Sequence, residues 1–177
     1  VEHTEALQLA NQLVSTLGDV CKRIEIAGSI RRGKPEVKDI EIVAVPFMQT
    51  DMFGAVLEDH SLDVFDFSNL GKVEKNGHKY KKIALYSGIS LDLFIVTPPA
   101  DWGVQYMIRT GPADFSQWMV SHRAIGGALP DTVYVKDGSV WSSRDNSPVH
   151  ILEEEDFFQL CGLKYVAPEL RAATWRR

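Results

Sequence analysis

Cysteine is scarce: two residues, Cys21 and Cys161, in 177. They stand far apart and outside any Cys-x-x-Cys or Cys/His spacing. This argues against a zinc module and a disulfide scaffold, and both read as reduced thiols of an intracellular, cytoplasmic protein. Long apolar runs are missing too. No stretch of about eighteen apolar residues occurs, so no membrane partner is expected. No basic, apolar, small-residue leader is visible, and nothing suggests secretion. Net positive charge is also lacking. The formal charge is −5, which argues against strong, purely electrostatic binding of nucleic acid. There is no internal repeat and no low-complexity tract.

The 45% hydrophobic fraction is ample for a packed core, and the length suits one domain or a domain with a small appendage. Charge is unevenly spread. Residues 22–38 and 72–82 are basic, whereas residues 51–66 and 153–156 are acidic. A basic stripe on an acidic protein fits a weak nucleic-acid binder; solvated faces that differ in sign fit about as well.

The richest local pattern lies near the start. Ala27-Gly28-Ser29-Ile30-Arg31-Arg32-Gly33 is a small, phosphate-compatible turn carrying two arginines, and Asp39-Ile40-Glu41 follows. Side chains of a strand repeat every two residues, so Asp39 and Glu41 point the same way. Like charges side by side repel unless a cation sits between them. A divalent metal is the natural cation, and a nucleoside triphosphate is its usual companion. The third acid, Asp92, lies in Ser90-Leu91-Asp92-Leu93-Phe94-Ile95-Val96. A lone carboxylate among apolar residues is costly, and a metal shared with Asp39 and Glu41 relieves the cost. Mg²⁺ takes oxygen ligands, commonly a few carboxylates plus substrate phosphates. Two such ions on three carboxylates suit nucleotidyl transfer. Taken singly, each piece has a bland explanation. Gly-Ser is usually a turn, Arg31-Arg32 a solvated pair, Asp-x-Glu an edge strand, and Asp92 could pair with a lysine. Their order and shared strand placement favour the site.

Periodicity and turn chemistry outline the elements. Ala6, Leu9, Ala10, Leu13, Val14 and Leu17 predict a helix ended by Gly18. Residues 24–27 and 40–45 predict strands. Ser29 is the expected cap of a short turn of helix. Residues 51–59 read as helix, and residues 63–69 and 71–75 as short strands. Asn76-Gly77 and Asp137-Gly138 signal hairpins. Residues 91–96 form a strand, and Pro98-Pro99 marks the domain boundary. Residues 101–109, 114–124 and 152–160 read as helices.

These segments resemble the family X DNA polymerases, the DNA polymerase beta-like nucleotidyltransferases. "AGSIRRGKPEVKDIEIV" looks like the palm signature, and "KKIALYSGISLDLFIV" is similar to the strand pair bearing the third carboxylate. "WGVQYMIRTG" resembles the Trp-Gly…Thr-Gly stretch that opens the thumb, and "EEEDFFQLCGLKYVAPELR" the final segment. Nearly the whole chain is covered, in order. The resemblance implies an α+β fold. Residues 1–97 would be a nucleotidyltransferase palm, a mixed, mostly antiparallel sheet flanked by helices, and residues 98–177 a small α/β thumb. It implies that Asp39, Glu41 and Asp92 are the catalytic, metal-binding triad for two Mg²⁺ or Mn²⁺ ions, with Asp92 nearest the primer 3′-hydroxyl. Gly28, Ser29 and Arg32 match triphosphate-binding positions. Thr110 and Gly111 match the turn under the nucleotide sugar, with Ile108 and Arg109 just before it. Lys72, Lys75, Lys79, Lys81 and Lys82, around the Asn76-Gly77 hairpin, are the candidate contacts to the DNA backbone.

The chain departs from the family pattern at four points. Glu41 stands where the family has Asp, lengthening the reach by roughly 1.5 Å. Ile108-Arg109 replaces an aromatic pair that helps exclude the ribose 2′-hydroxyl. Pro112 replaces the usual Ser. The lyase and fingers domains are missing, as in the minimal palm-plus-thumb form of a few viruses or in a fragment of a longer chain. The expected activity is transfer of a nucleotide from a (d)NTP to a DNA primer, filling short gaps, by a monomer whose partners are gapped or primed DNA and a nucleoside triphosphate. Two alternatives stand beside it: transfer to another acceptor (an RNA end, a protein or a small molecule), and a catalytically weak nucleic-acid-binding module of the same fold.

Overall fold

The computed structural model describes residues 1–172. Residues 173–177, the end of the expected thumb, lie outside the described residues. The chain is a mixed α+β fold with a mixed sheet flanked by helices. It divides into two units. The first is Val1–Ile30 with Lys34–Thr97; the second is Arg31–Gly33 with the chain from Pro98 onward.

In the first unit, helix α1 (His3–Gly18) places Ala6, Ala10, Leu13 and Leu17 on one buried stripe. After it come strand β1 (Cys21–Ile26), the short helix α2 (Gly28–Arg31) and strand β2 (Asp39–Pro46). Strands β3 (Met48–Thr50) and β4 (Val56–His60) form a separate two-stranded ladder, followed by helix α3 (Ser61–Val64). Strands β5 (Gly71–Asn76), β6 (Tyr80–Leu85) and β7 (Ser90–Ile95) complete the unit. The main sheet runs β1-β2-β7-β6-β5. Only the β2/β7 pairing is parallel. The α1 stripe shares one core with Ile40, Ile42, Leu91 and Leu93. Each such fully buried Leu or Ile contributes about 1.5–3 kcal/mol, so the apolar face of the sheet is strongly fixed.

Two expectations fail here, and local chemistry explains both. Residues 51–59 are a hairpin tip and a strand, not a helix. The Asp51 carboxylate accepts the Phe53 and Ala55 N–H groups, closing the chain on itself. Gly54 takes a positive φ of 82°, which a helix does not admit. Residues 63–69 are not a strand. His60 Nδ1 accepts the Asp63 N–H while Asp63 accepts the His60 N–H, a reciprocal cap that starts α3. The Asp66 carboxylate then caps a single 3₁₀ turn, Phe67–Asn69.

The second unit contains helices α4 (Trp102–Thr110) and α5 (Ala113–Val120), strands β8 (Val133–Lys136), β9 (Ser139–Ser142) and β10 (Pro148–Val149), and helix α6 (Glu154–Leu160). The strands form one antiparallel sheet, β10-β9-β8. Val104, Met107, Phe115, Met119, Val140, Phe157 and Phe158 make its core. Asp137 and Gly138 both take positive φ, 53° and 72°, as a tight two-residue hairpin requires. Helix α5 stops at Val120, short of the expected 124, because Ser121 turns extended. Cys21 and Cys161 are buried free thiols, and burial pushes the Cys21 thiol up to about 11. No described helix is long and apolar enough to cross a membrane.

Candidate active site

The acids are brought together by strand register. Glu41 of β2 pairs with Asp92 of β7, and Asp39 with Ser90. Ile40, Ile42, Leu91 and Leu93 alternate with them and are fully buried on the core side. Asp39, Glu41 and Asp92 therefore share the other face of two neighbouring strands, all three half-buried. A slip of one residue would turn the carboxylates into the core, so burial of the apolar set fixes the acid face.

Around this face the Gly-Ser turn and strand β6 add specific contacts. Gly28 has φ +61°, and a Cβ there would overlap the Glu41 carboxylate. Glu41 thus lies against the Gly28 backbone, where a residue without a side chain leaves room for it. Ser29 sits inside α2 and is not its cap. Its buried Oγ has no hydrogen-bond partner among the described residues. The Tyr80 hydroxyl donates to Asp92 Oδ1. Lys82 stands directly across from Asp92 on β6. An all-oxygen donor set of three carboxylates matches hard divalent cations such as Mg²⁺ or Mn²⁺, and in donor chemistry the residues fit the implied metal. Their ligand oxygens do not all lie within 4.8 Å of one another; among the described residues only His60, Asp63 and His78 form such a group.

In that second group His60 and Asp63 are already engaged by neighbours. His60 Nδ1 accepts the Asp63 N–H (3.2 Å), so its Nε2 carries the proton and donates to the His78 carbonyl (2.7 Å). Both nitrogens are used, leaving no lone pair for a metal. The Asp63 carboxylate takes Lys81 Nζ at 3.0 Å and His78 Nδ1 at 2.6 Å. Burial pushes Asp63 up, but the hydrogen bonds from Lys81 and His78 prevail and hold it below its ordinary value. Burial holds the His60 imidazole below its ordinary value, on the neutral side. The cluster is an ion-pair and hydrogen-bond network. It also fixes Lys81, which is 1% exposed and bonded to Asp63 and Asn76. Lys81 therefore does not join the surface lysines. Lys72, Lys75 and Lys79 are exposed and Lys82 is half-buried.

In the second unit both arginines of the Arg31–Gly33 segment engage Thr110. Arg31 Nη1 donates to Thr110 Oγ1 (2.6 Å), and Arg32 Nη1 to the Thr110 carbonyl (2.6 Å). Gly111 takes φ +66°, and a Cβ there would lie 3.0 Å from Arg32 Nη1. The Ile108 carbonyl accepts the Ser116 hydroxyl (2.8 Å) and the Gly111 N–H (3.2 Å), and Arg109 is exposed.

Behind Arg31 lies a buried network that the sequence did not reveal. Glu154, 3% exposed, binds Arg31 through both oxygens (2.5 and 3.0 Å), Arg171 at 3.1 Å and the Tyr165 hydroxyl at 2.8 Å. The Arg31 guanidinium also lies 3.9 Å from the Tyr106 ring centroid. Burial pushes Glu154 up, yet hydrogen bonds and charge from Arg31 and Arg171 dominate and pull it down to about 2. Burial opposes the Arg31 charge, and Glu154 more than offsets it, so Arg31 is held above its ordinary value.

Tyr80 was missed because the recognisable stretch begins at Lys81. Its alternation with Lys82, across from Asp92, is the signal that could have found it. No protein-family model matches the chain, and no curated protein matches it.

Proposed function

We propose that this protein is a metal-dependent nucleotidyltransferase of the family X DNA polymerase type, with residues 1–97 as palm and residues 98–177 as thumb. It transfers a nucleotide to the 3′-hydroxyl of a DNA primer, releases pyrophosphate and fills short gaps. The observation that carries this reading is the shared face of Asp39, Glu41 and Asp92, with Glu41 laid against the Gly28 backbone. A structural role does not need three acids on one face of neighbouring strands. An anion-binding turn next to a cation-binding face is what a metal–triphosphate substrate needs.

Bound divalent ions would supply Lewis-acid stabilisation of the phosphoryl oxygens and activate the attacking hydroxyl. The chain's own residues have distinct tasks. Asp39 and Glu41 hold positive charge at the reacting phosphate. Asp92 orients the primer hydroxyl and favours loss of its proton. Backbone N–H groups of Gly28 and Ser29, with the partnerless Ser29 hydroxyl, bond phosphate oxygens. By the family resemblance Arg32 would neutralise charge on the leaving group, and Thr110-Gly111 would support the sugar. Lys72, Lys75, Lys79 and Lys82 attract the DNA backbone.

Primer extension on gapped, template-primer and single-stranded DNA, with dNTPs and NTPs in parallel, tests this function. Incorporation with Mg²⁺ or Mn²⁺, strongest on gapped DNA, is expected. Absence of incorporation on every DNA substrate with both ions contradicts it, and transfer confined to RNA ends moves the acceptor.

A further inference from the structure

We propose that Tyr80 is a positioning residue for Asp92: it fixes one oxygen of that carboxylate and leaves the other as the ligand. The inference rests on the nucleotidyltransferase reading above and adds a residue outside the recognisable motif. Tyr80 opens β6 and pairs with Phe94 of β7. Asp92 lies two residues before Phe94 on the same face, the diagonal distance that a tyrosine spans. The Tyr80 ring stacks on Phe94, with centroids 5.2 Å apart and planes at 30°. Lys75 Nζ lies 5.7 Å from the Tyr80 ring centroid. The ring is thus packed, and its hydroxyl is aimed along the sheet at Asp92 Oδ1.

A hydroxyl has one proton to donate, and here it is given to Oδ1. Among the described residues Tyr80 is the only hydrogen-bond partner of the Asp92 carboxylate. An unheld aspartate rotates freely about its terminal torsion and exchanges its oxygens. A held one offers Oδ2 at a fixed orientation, which lowers the entropic cost of engaging a cation and the primer hydroxyl. Partners that orient a metal-binding carboxylate are commonly worth tenfold to a hundredfold in metal affinity.

The test is a direct Mn²⁺ titration, read by the electron paramagnetic resonance signal of free Mn²⁺, with a non-hydrolysable dNTP analogue present. Wild type, Tyr80→Phe and Asp92→Ala are compared, and the unfolding midpoint of each is measured alongside. Tyr80→Phe removes the hydroxyl and keeps the stacking ring. It is expected to weaken Mn²⁺ binding by about tenfold to a hundredfold, with the unfolding midpoint and the KM for dNTP close to wild type and kcat reduced. Mn²⁺ affinity within about twofold of wild type in Tyr80→Phe, while Asp92→Ala loses it, overturns the role of Tyr80 and leaves the triad standing. A fall in affinity that tracks a fall in unfolding midpoint also overturns it, because the residue is then merely structural. Wild-type Mn²⁺ affinity in Asp92→Ala overturns the reading of the triad itself.

Discussion

Glu154 and Asp92 are both carboxylates on well-packed elements, and their surroundings differ in kind. Glu154 is sealed in the second unit by two guanidinium groups and a phenol, and its charge is balanced inside the protein. Asp92 is half-buried in the first unit, beside Glu41 and on the same face as Asp39, with one hydroxyl donor. In the first arrangement the carboxylate takes all its donors from inside the protein, and only Arg171 Nη2 at its edge lacks a partner among the described residues. The second gathers three carboxylates on one face, with Lys82 across from Asp92, and under the proposed function it is where a bound cation would sit. Paired charges of opposite sign hold a fold, whereas like charges gathered on one face favour a bound cation.

The contrast breaks most sharply at the acid face. Asp39→Ala should reduce turnover by about 10³-fold or more, the rate equivalent of several kcal/mol of lost charge stabilisation, while the unfolding midpoint in denaturant stays near wild type. Single-turnover incorporation into gapped DNA measures it.

Glu154→Ala should do the reverse. The buried Arg171 and the half-buried Arg31 lose their counter-charge, a change worth about 3–5 kcal/mol of stability, read by urea unfolding. The same network predicts acid sensitivity. The folded-state pKa of Glu154 is depressed to about 2 from an ordinary 4.5. Its contribution is therefore complete above about pH 4.5 and lost as pH falls towards 2. The amount is about 3 kcal/mol. Unfolding midpoints across that range should fall in wild type and fall less in Glu154→Gln.

Smaller effects sharpen the division between the two arginines. Arg32→Ala should weaken triphosphate binding by about tenfold to a hundredfold, the range of a lost charge-assisted hydrogen bond. Arg31→Ala should show mainly as lost stability, because Arg31 belongs to the Glu154 network. Nucleotide titration and urea unfolding of both variants separate them; matching profiles would remove the phosphate role from Arg32. At the sugar, Ile108 is smaller than an aromatic residue, and its carbonyl is already bonded to Ser116 and Gly111. Discrimination against ribonucleotides should be only about tenfold to a hundredfold. Steady-state efficiencies for dNTP and the matching NTP check it, and a preference beyond several thousandfold contradicts it. Neutralising Lys72 and Lys79 together should flatten the salt dependence of DNA binding by about two units in log–log slope. Lys81→Ala should instead lower stability, since its ammonium is buried against Asp63.

Legibility followed the range of the determining chemistry. Helix α1, the Asp137-Gly138 hairpin and strands β2 and β7 were readable, because periodicity and turn residues act over a few positions. The acid face followed from alternation alone, although the neighbouring register of Glu41 and Asp92 needed the sheet. Residues 51–59 misled because their apolar content suits a helix, while one Asp51 side chain closes a turn. Lys81 looked like its neighbours, yet it alternates with Ile83 towards the core. The Arg31–Glu154 pair joins residues 123 positions apart, and no local pattern announces such a contact.

The most direct test is incorporation of one dNTP into gapped DNA by Asp92→Asn, with the unfolding curve recorded on the same preparation. The substitution keeps the shape of the side chain and removes its charge. The account predicts that incorporation falls by about 10³-fold or more while stability is equal to or slightly above wild type, because one like charge has gone from the acid face. Near-wild-type incorporation, or a loss of stability as large as that of Glu154→Ala, would contradict it.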